Sequence, residues 1–160
     1  VRRSVRADGK PVAHVLDDYS FAGAVTEWPK KAVELARKHK ATVMLIERNR
    51  GLDYLREMVR PISSIRIEEV YSTRSKGDRA ISAARFYELG QVFHDHRMDR
   101  LEEQMTTWVP PGTEEIRRRK QAGSPDRIDA LCHAIRYLKL DMGIAPGLKP
   151  IGVDLPKTTF

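Results

Sequence analysis

Residues 42–47, Thr-Val-Met-Leu-Ile-Glu, form the stretch of sequence that decides the fold. The four consecutive apolar residues have the length of a strand, and an uninterrupted apolar run is typical of a strand covered on both faces. The run ends on Glu47, and open α/β sheets place their ligands at the carboxyl ends of such strands. We predict a central strand with an acid at its functional end, although a solvated acid is the commoner explanation for a residue such as Glu47 taken alone.

Upstream of this strand the sequence predicts a hairpin and a helix. Asp8-Gly9 separates the extended segments 4–7 and 11–16, and this dipeptide is a strong hairpin-turn signal. A helix capped by Thr26, with Pro29 in its first turn, follows and ends near residue 40.

Downstream of the strand, helical and extended patterns alternate. Gly90 closes one helix in the manner of a C-terminal cap. The predicted elements are a helix at 52–59, a strand at 65–71, a basic loop at 72–77, a helix at 78–89, a strand at 91–94 and a helix at 98–107. A hairpin followed by alternating strands and helices indicates an α/β fold with a mixed sheet flanked by helices.

The last predicted helix begins with Ser124 as its N-cap and Pro125 at its first position, and runs to about residue 141. Asp126 and Asp129 are three residues apart, so they lie on one side of the first turns. This spacing is compatible with metal binding. It is equally what helix N-termini favour for stability, because acids there complement the helix dipole.

Composition restricts the class of protein. A chain of 160 residues suits one domain, and its 41% hydrophobic and 32% charged residues describe a globular protein. Neither an apolar run of about 20 residues nor a secretory signal is visible, so we expect no membrane span. Cys132 is the single cysteine, so the chain cannot form an internal disulfide, which is consistent with a reducing cytoplasm. We predict that Cys132 is a buried hydrophobic residue.

The charge balance favours an anionic partner. The chain has 29 Lys and Arg against 22 Asp and Glu, a formal net charge of +7. Clustered cations gain free energy by displacing counterions from nucleic acid. Charge alone leaves nucleic acid and no specific partner about equally open.

Five segments occur in a distinctive order. They are Leu-Asp-Asp-Tyr-Ser at 16–20 before a Trp-containing helix, Ile-Glu-Arg-Asn at 46–49 followed by Gly51, Thr-Arg-Ser-Lys at 73–76, Leu-Glu-Glu-Gln-Met at 101–105, and Ser-Pro-Asp-Arg-Ile-Asp-Ala-Leu at 124–131. Together, with the elements between them, they make the chain from about residue 12 to 140 resemble the nuclease domain of bacteriophage terminase large subunits, which has a ribonuclease H-like fold.

The resemblance implies a site for Mg²⁺ or Mn²⁺. Metal-dependent phosphodiester cleavage needs several carboxylates converging on the ions. Carried over by position, Glu47 and Asp126 become the second and third catalytic, metal-binding acids, and Asp129 an adjacent acid that binds metal or orients the ligands. The family's first acid has no match, and neither Asp17 nor Asp18 is assigned to it.

We therefore expect a nuclease domain at 1–142 that lacks its first strand, followed by an extended tail at 143–160. The basic segments matching the family are DNA-binding candidates, although solvated basic loops are about as common. They comprise Arg48, Arg74, Lys76 and Arg79. A further run, residues 117–120, is more simply a helix end whose bases complement the dipole.

The resemblance implies an endonuclease that cuts double-stranded DNA during genome packaging in the cytoplasm of the bacterial host. It also implies an ATPase motor domain upstream in the same polypeptide, with the phage portal and the small terminase subunit as partners. Two alternatives stay open. One is a non-catalytic DNA-binding or interaction module of the packaging motor, which the unmatched first acid favours. The other is a different ribonuclease H-like nuclease, such as a resolvase or a transposase core.

Overall fold

Strands and helices alternate after an N-terminal hairpin, as the sequence predicts. A computed structural model describes residues 1–20, 23–48, 53–109 and 124–140, which leaves the expectations for 117–120 and for the tail at 143–160 outside the described residues. The strands are β1 (Arg2–Val5), β2 (Pro11–Val15), β3 (Val43–Glu47), β4 (Arg66–Val70) and β5 (Val92–His94). The helices are α1 (Trp28–Lys38), α2 (Asp53–Val59), α3 (Lys76–Glu88), α4 (Asp99–Thr107) and α5 (Asp126–Leu138).

The hairpin and β5 form a three-stranded mixed sheet. β1 and β2 are antiparallel, and β5 lies parallel to β2, in the order β1-β2-β5. Gly9 has a φ of +80°, which glycine adopts without steric penalty, and its N–H donates to the carbonyl of Arg6 at 2.9 Å. The predicted hairpin and its Asp-Gly turn are confirmed.

The strand that begins at Val43 is not central among the described residues. β3 pairs in parallel with β4 alone, and every residue of β3 is partly exposed. Our prediction of a central strand covered on both faces is therefore wrong for this part of the chain. An apolar run indicates that both faces of a strand can be buried, but it does not determine which strands lie beside that strand. One edge of β3 and one edge of β1 are left open within the described ranges.

The core lies between the three-stranded sheet and helices α3, α4 and α5. Its strand residues belong to one apolar cluster with side chains of the three helices, and α5 packs against α3 and α4. The buried members include Ala13, Val15, Val92, Ala83, Leu101, Leu131, Cys132 and Ile135. The predicted burial of Cys132 is confirmed. Within the described ranges, none of the helices combines the length and the apolarity that crossing a membrane requires.

Two helices begin at residues other than those predicted. The N-cap of α1 is Glu27 rather than Thr26, and no side chain caps it. The N-cap of α5 is Pro125 rather than Ser124, again without a side-chain cap. The hydroxyl of Ser124 donates instead to the carboxylate of Asp126. Ser124 therefore contacts the first turn of the helix from the position before the N-cap.

Helix α3 begins earlier than predicted. Ser75 is its N-cap, and its hydroxyl oxygen accepts from the N–H of Asp78 at 3.1 Å. Lys76 therefore belongs to the first turn and not to a basic loop. The helix ends as predicted, because Gly90 adopts a φ of +61° directly after the capping residue.

Candidate metal centre

Two carboxylates and an imidazole converge where β3 ends against α5. One ligand atom each from Glu47, Asp129 and His133 lies within 4.8 Å of the other two. The Nε2 atom of His133 is 3.7 Å from Oε1 of Glu47 and 4.0 Å from Oδ1 of Asp129. Glu47 is partly exposed and the other two are buried, so the cluster opens to solvent on the Glu47 side.

Helix α5 presents two of these side chains together because Asp129 and His133 are four residues apart. Residues at that spacing are neighbours on one helix face. The helix is held against β4 by Tyr137, whose hydroxyl oxygen accepts from Nη2 of Arg66 at 2.6 Å. This contact brings the two-stranded sheet, and with it Glu47, alongside the helix.

Ser72 links the two halves of the cluster. Its hydroxyl donates to Oε1 of Glu47 at 2.7 Å and lies 3.2 Å from Nε2 of His133. Ser72 lies two residues after the end of β4, so the segment that follows the neighbouring strand positions the acid of β3. A hydroxyl that contacts both groups restricts their rotation and favours one arrangement of the site.

Arg79 holds Asp129 from the side of α3. Its Nε donates to Oδ1 at 2.7 Å and its Nη2 to Oδ2 at 2.6 Å, while Nη1 donates to the carbonyl of Arg74 at 2.6 Å. Arg79 and Asp129 are both 7% exposed. A planar guanidinium bound to both carboxylate oxygens fixes the carboxylate plane. Because little of Arg79 is left for a DNA phosphate, we treat it as a residue that positions Asp129.

Asp126, which we predicted to share a cation with Glu47, does not belong to the cluster of Glu47, Asp129 and His133. Its side chain is 78% exposed, and Oδ1 accepts from Nζ of Lys76 at 3.3 Å. The hydrogen bond from Ser124, followed by that from Lys76, holds the pKa of Asp126 below its usual value. Its role as a metal ligand stays a prediction, and the geometry places Asp129 with Glu47 instead.

The remaining DNA-binding candidates lie around this cluster. The Nζ atom of Lys76 also donates to Ser124 at 2.8 Å and is 3.8 Å from Oδ2 of Asp129. Arg48 follows Glu47, is exposed, and its guanidinium lies 5.4 Å from the ring centre of Tyr71. Arg74 is exposed on the α3 side. Their contacts with DNA stay predictions.

His133 and Ser72 are site residues that our reading of the sequence missed. The first could have been found, because a histidine four residues after an acid on a helix presents two ligand types on one face. Ser72 had no comparable signal. It reaches Glu47 only because β4 lies beside β3, a pairing that the local sequence does not encode.

The cluster fits a divalent cation in its donor set and in its size. Ligand atoms around one ion at roughly 2.1 Å lie about 3–4 Å apart, so the separations of 3.7 and 4.0 Å need little contraction. Each oxygen of Asp129 retains a lone pair beyond the one that Arg79 uses. The carboxylates suit Mg²⁺ or Mn²⁺, and an imidazole favours transition metals over Mg²⁺.

In this α/β architecture, acids from the end of β3 and from α5 meet, an arrangement consistent with a ribonuclease H-like domain. A family model described as the terminase RNaseH-like domain matches residues 7–138. The chain belongs to that family, and it is a nuclease-type domain of the DNA-packaging terminase. A comparison with curated proteins found no match.

Proposed function

We propose that this domain is a divalent-metal-dependent endonuclease that cuts double-stranded DNA during packaging of a phage genome. Family membership supports a nuclease. The single observation that carries the metal dependence is the convergence of Glu47, Asp129 and His133 within 4.8 Å. Mn²⁺ suits this mixed oxygen and nitrogen set better than Mg²⁺ does.

Glu47 and Asp129 are the proposed metal-binding carboxylates, with His133 as the third donor. A bound divalent ion supplies a water nucleophile near neutral pH and stabilises the leaving oxygen of the cleaved strand. The chain's own residues fix the geometry. Ser72 donates to Glu47, and Arg79 donates to both oxygens of Asp129, so both carboxylates are held close to the positions that an ion requires.

Asp126 and Lys76 form the proposed rim of the site. Asp126 is 78% exposed beside the cluster. To ligate a second cation, as our prediction for it requires, its carboxylate exchanges the hydrogen bonds from Ser124 and Lys76 for the ion. Lys76 is 41% exposed at its side chain and reaches towards Asp129, which suits a contact with the phosphate being cleaved. Arg48 and Arg74 are the proposed contacts with flanking phosphates.

A further carboxylate, the first acid of the family, is expected on a strand that pairs with the open edge of β3. A strand at that edge would lie beside Glu47. The proposal also includes an upstream ATPase motor domain, the portal and the small terminase subunit as partners, all in the cytoplasm of the host. These partners follow from the family alone.

A non-catalytic DNA-binding module is the second candidate, and the Arg79–Asp129 pair favours it. A guanidinium bound to both oxygens neutralises Asp129 and weakens its attraction for a cation. In such a module, the cluster would serve only to connect β3 with α5. DNA binding would then persist without metal and without cleavage.

The test is cleavage of supercoiled plasmid in Mn²⁺ by the full-length natural protein. Glu47→Gln removes one ligand charge at a partly exposed position, and we expect cleavage to fall by about 100-fold or more. Glu68→Gln is the matched control, because Glu68 lies on the adjacent strand β4 and pairs with Arg66 outside the cluster. The control is expected to cut as the unmodified protein does.

Asp129 needs a different variant because Asp129→Asn alone leaves the buried Arg79 without its counter-charge. The double variant Arg79→Gln/Asp129→Asn replaces the ion pair with two neutral amides. We expect it to fold, as judged by circular dichroism, and to lose cleavage. Undiminished cutting by Glu47→Gln and by the folded double variant would overturn the enzymatic proposal and leave the DNA-binding module.

A further inference from the structure

A cleft of about 720 Å³ lies between α3 and α5, and neither Glu47 nor Asp129 lines it. Clefts of this volume are typical of sites for ligands the size of a nucleotide. Arg79 lines it as well as holding Asp129, so the cleft and the candidate metal centre share a wall. The floor contains Gln91, whose amide donates to the carbonyl of Leu140 at 3.2 Å.

The cleft carries charge of one sign. Five cationic residues and no acidic residue line it. One of them, Arg79, is committed to Asp129. The other four are exposed and make no side-chain hydrogen bond or salt bridge within the described ranges; they are Arg74, Arg85, Arg136 and Lys139. A concave surface lined by one sign of charge concentrates its field, and here the field attracts an anion.

The walls between these cations are apolar. Phe86 of α3, Leu89 directly after that helix and Ile135 of α5 line the cleft, and Leu89 is 55% exposed. If an inorganic anion occupied the cleft, this apolar surface would stay exposed to water. An occupant that carries phosphates together with a flat, weakly polar ring would cover both kinds of surface.

We propose that this cleft binds nucleotides of an unpaired nucleic-acid strand. Its phosphates would contact Arg85 and Arg136 on the two helices, and a base would lie against Phe86 and Leu89. A duplex keeps its bases stacked inside, so it would reach only the rim. The identity of the polymer as DNA rests on the proposed function. The cleft would hold a DNA strand that has separated from its complementary strand near the cutting site.

The test measures binding of fluorescein-labelled oligo-dT of about 12 nucleotides to the 160-residue chain in EDTA, by fluorescence anisotropy. We expect Arg85→Ala/Arg136→Ala to weaken binding about tenfold or more near 100 mM salt. Each phosphate contact on a single strand contributes about 0.7 to the slope of log K against log salt. Loss of two contacts should therefore flatten that slope by about 1.4.

The matched control is Arg60→Ala/Arg100→Ala, which removes the same charge from exposed arginines that do not line the cleft. It should bind nearly as the unmodified chain does. Equal weakening by the two double variants would overturn the proposal, because the effect would then come from net charge alone.

Two further comparisons test the apolar walls. An abasic oligonucleotide with the same number of phosphates should bind several-fold more weakly, and Leu89→Ala should weaken oligo-dT without changing the salt slope. Equal affinity for the abasic strand would overturn the base contact. Displacement of oligo-dT by poly-glutamate of equal charge at equal concentration would instead identify an acidic-peptide site and overturn it too.

Failure of this proposal is distinguishable from failure of the metal-dependent nuclease. Binding is measured without metal, and Glu47→Gln, which does not line the cleft, should bind oligo-dT normally while losing cleavage. Cleavage that is retained although oligo-dT does not bind in the cleft would overturn the cleft proposal and leave the nuclease proposal intact.

Discussion

Arg79 of α3 and Asp129 of α5 form a two-point ion pair in the core, with both side chains less than 9% exposed. The pair joins the two helices that pack most closely around the core. Asp129 belongs to the candidate metal centre, and Arg79 lines the basic cleft. Its loss therefore affects stability as well as the site.

Removal of one partner of this pair should destabilise the domain strongly. We expect Arg79→Ala to lower the free energy of unfolding by about 3–5 kcal/mol, because the carboxylate of Asp129 is left buried without a counter-charge. Urea denaturation followed by circular dichroism measures it. Arg74→Ala, an exposed arginine five residues away, should change stability by less than about 0.5 kcal/mol. Similar losses for both variants would contradict the buried-pair assignment.

Metal binding should depend on His133. We expect Mn²⁺ at about 100 times its dissociation constant to stabilise the domain by about 2.7 kcal/mol, seen as a raised melting temperature. His133→Gln should reduce the apparent Mn²⁺ affinity by about tenfold or more. His96→Gln is the control, because His96 is exposed and lies outside the cluster. A melting temperature that does not respond to Mn²⁺ in the unmodified chain would count against a metal site.

The contact of Asp17 with the end of α1 should make stability depend on pH. The hydrogen bond from Lys38, with a smaller one from His39, lowers the pKa of Asp17. An acid whose folded pKa is below its unfolded value of about 3.9 stabilises the fold above that value and stops doing so as pH falls through the folded pKa.

Asp17→Asn should therefore lower the unfolding free energy at pH 7 by up to about 1 kcal/mol, a modest value because its side chain is 24% exposed. The deficit relative to the unmodified chain should shrink as pH falls below about 4, through the lowered pKa of Asp17. Glu57→Gln, at an exposed position of α2, should show no such trend. A deficit that is constant across this range would show that the charge of Asp17 is not responsible.

The thiol of Cys132 should react slowly while the domain is folded. Burial raises its pKa to about 11, and the nearby charge of Asp129 adds to the shift. Only the thiolate is nucleophilic, so both access and ionisation limit the reaction at pH 8. We expect Ellman's reagent to react at least about 100-fold faster in denaturing urea than in buffer. Equal rates would mean that the side chain is accessible in the folded state.

The sequence was sufficient for the local elements. Apolar runs alternate with helical patterns along the chain, and Asp8-Gly9 and Gly90 mark a turn and a helix cap. These signals depend on backbone preferences within a few residues, and the elements form where they predict. The resemblance of five ordered segments was sufficient for the family, which the match over residues 7–138 confirms. Helix starts differ by one or two residues because several residues near each end can serve as the cap.

The composition of the cluster was decided by tertiary structure. Asp126 and Asp129 carry the same functional group at the start of one helix, and the family resemblance assigned Asp126 as the ligand with Asp129 as an adjacent acid. Helix α5 packs so that Asp129 is buried beside Glu47 and Arg79, whereas Asp126 is exposed beside Lys76. Which face of a helix meets a sheet depends on contacts between residues distant in the chain, such as Arg66 with Tyr137, and no local pattern encodes them.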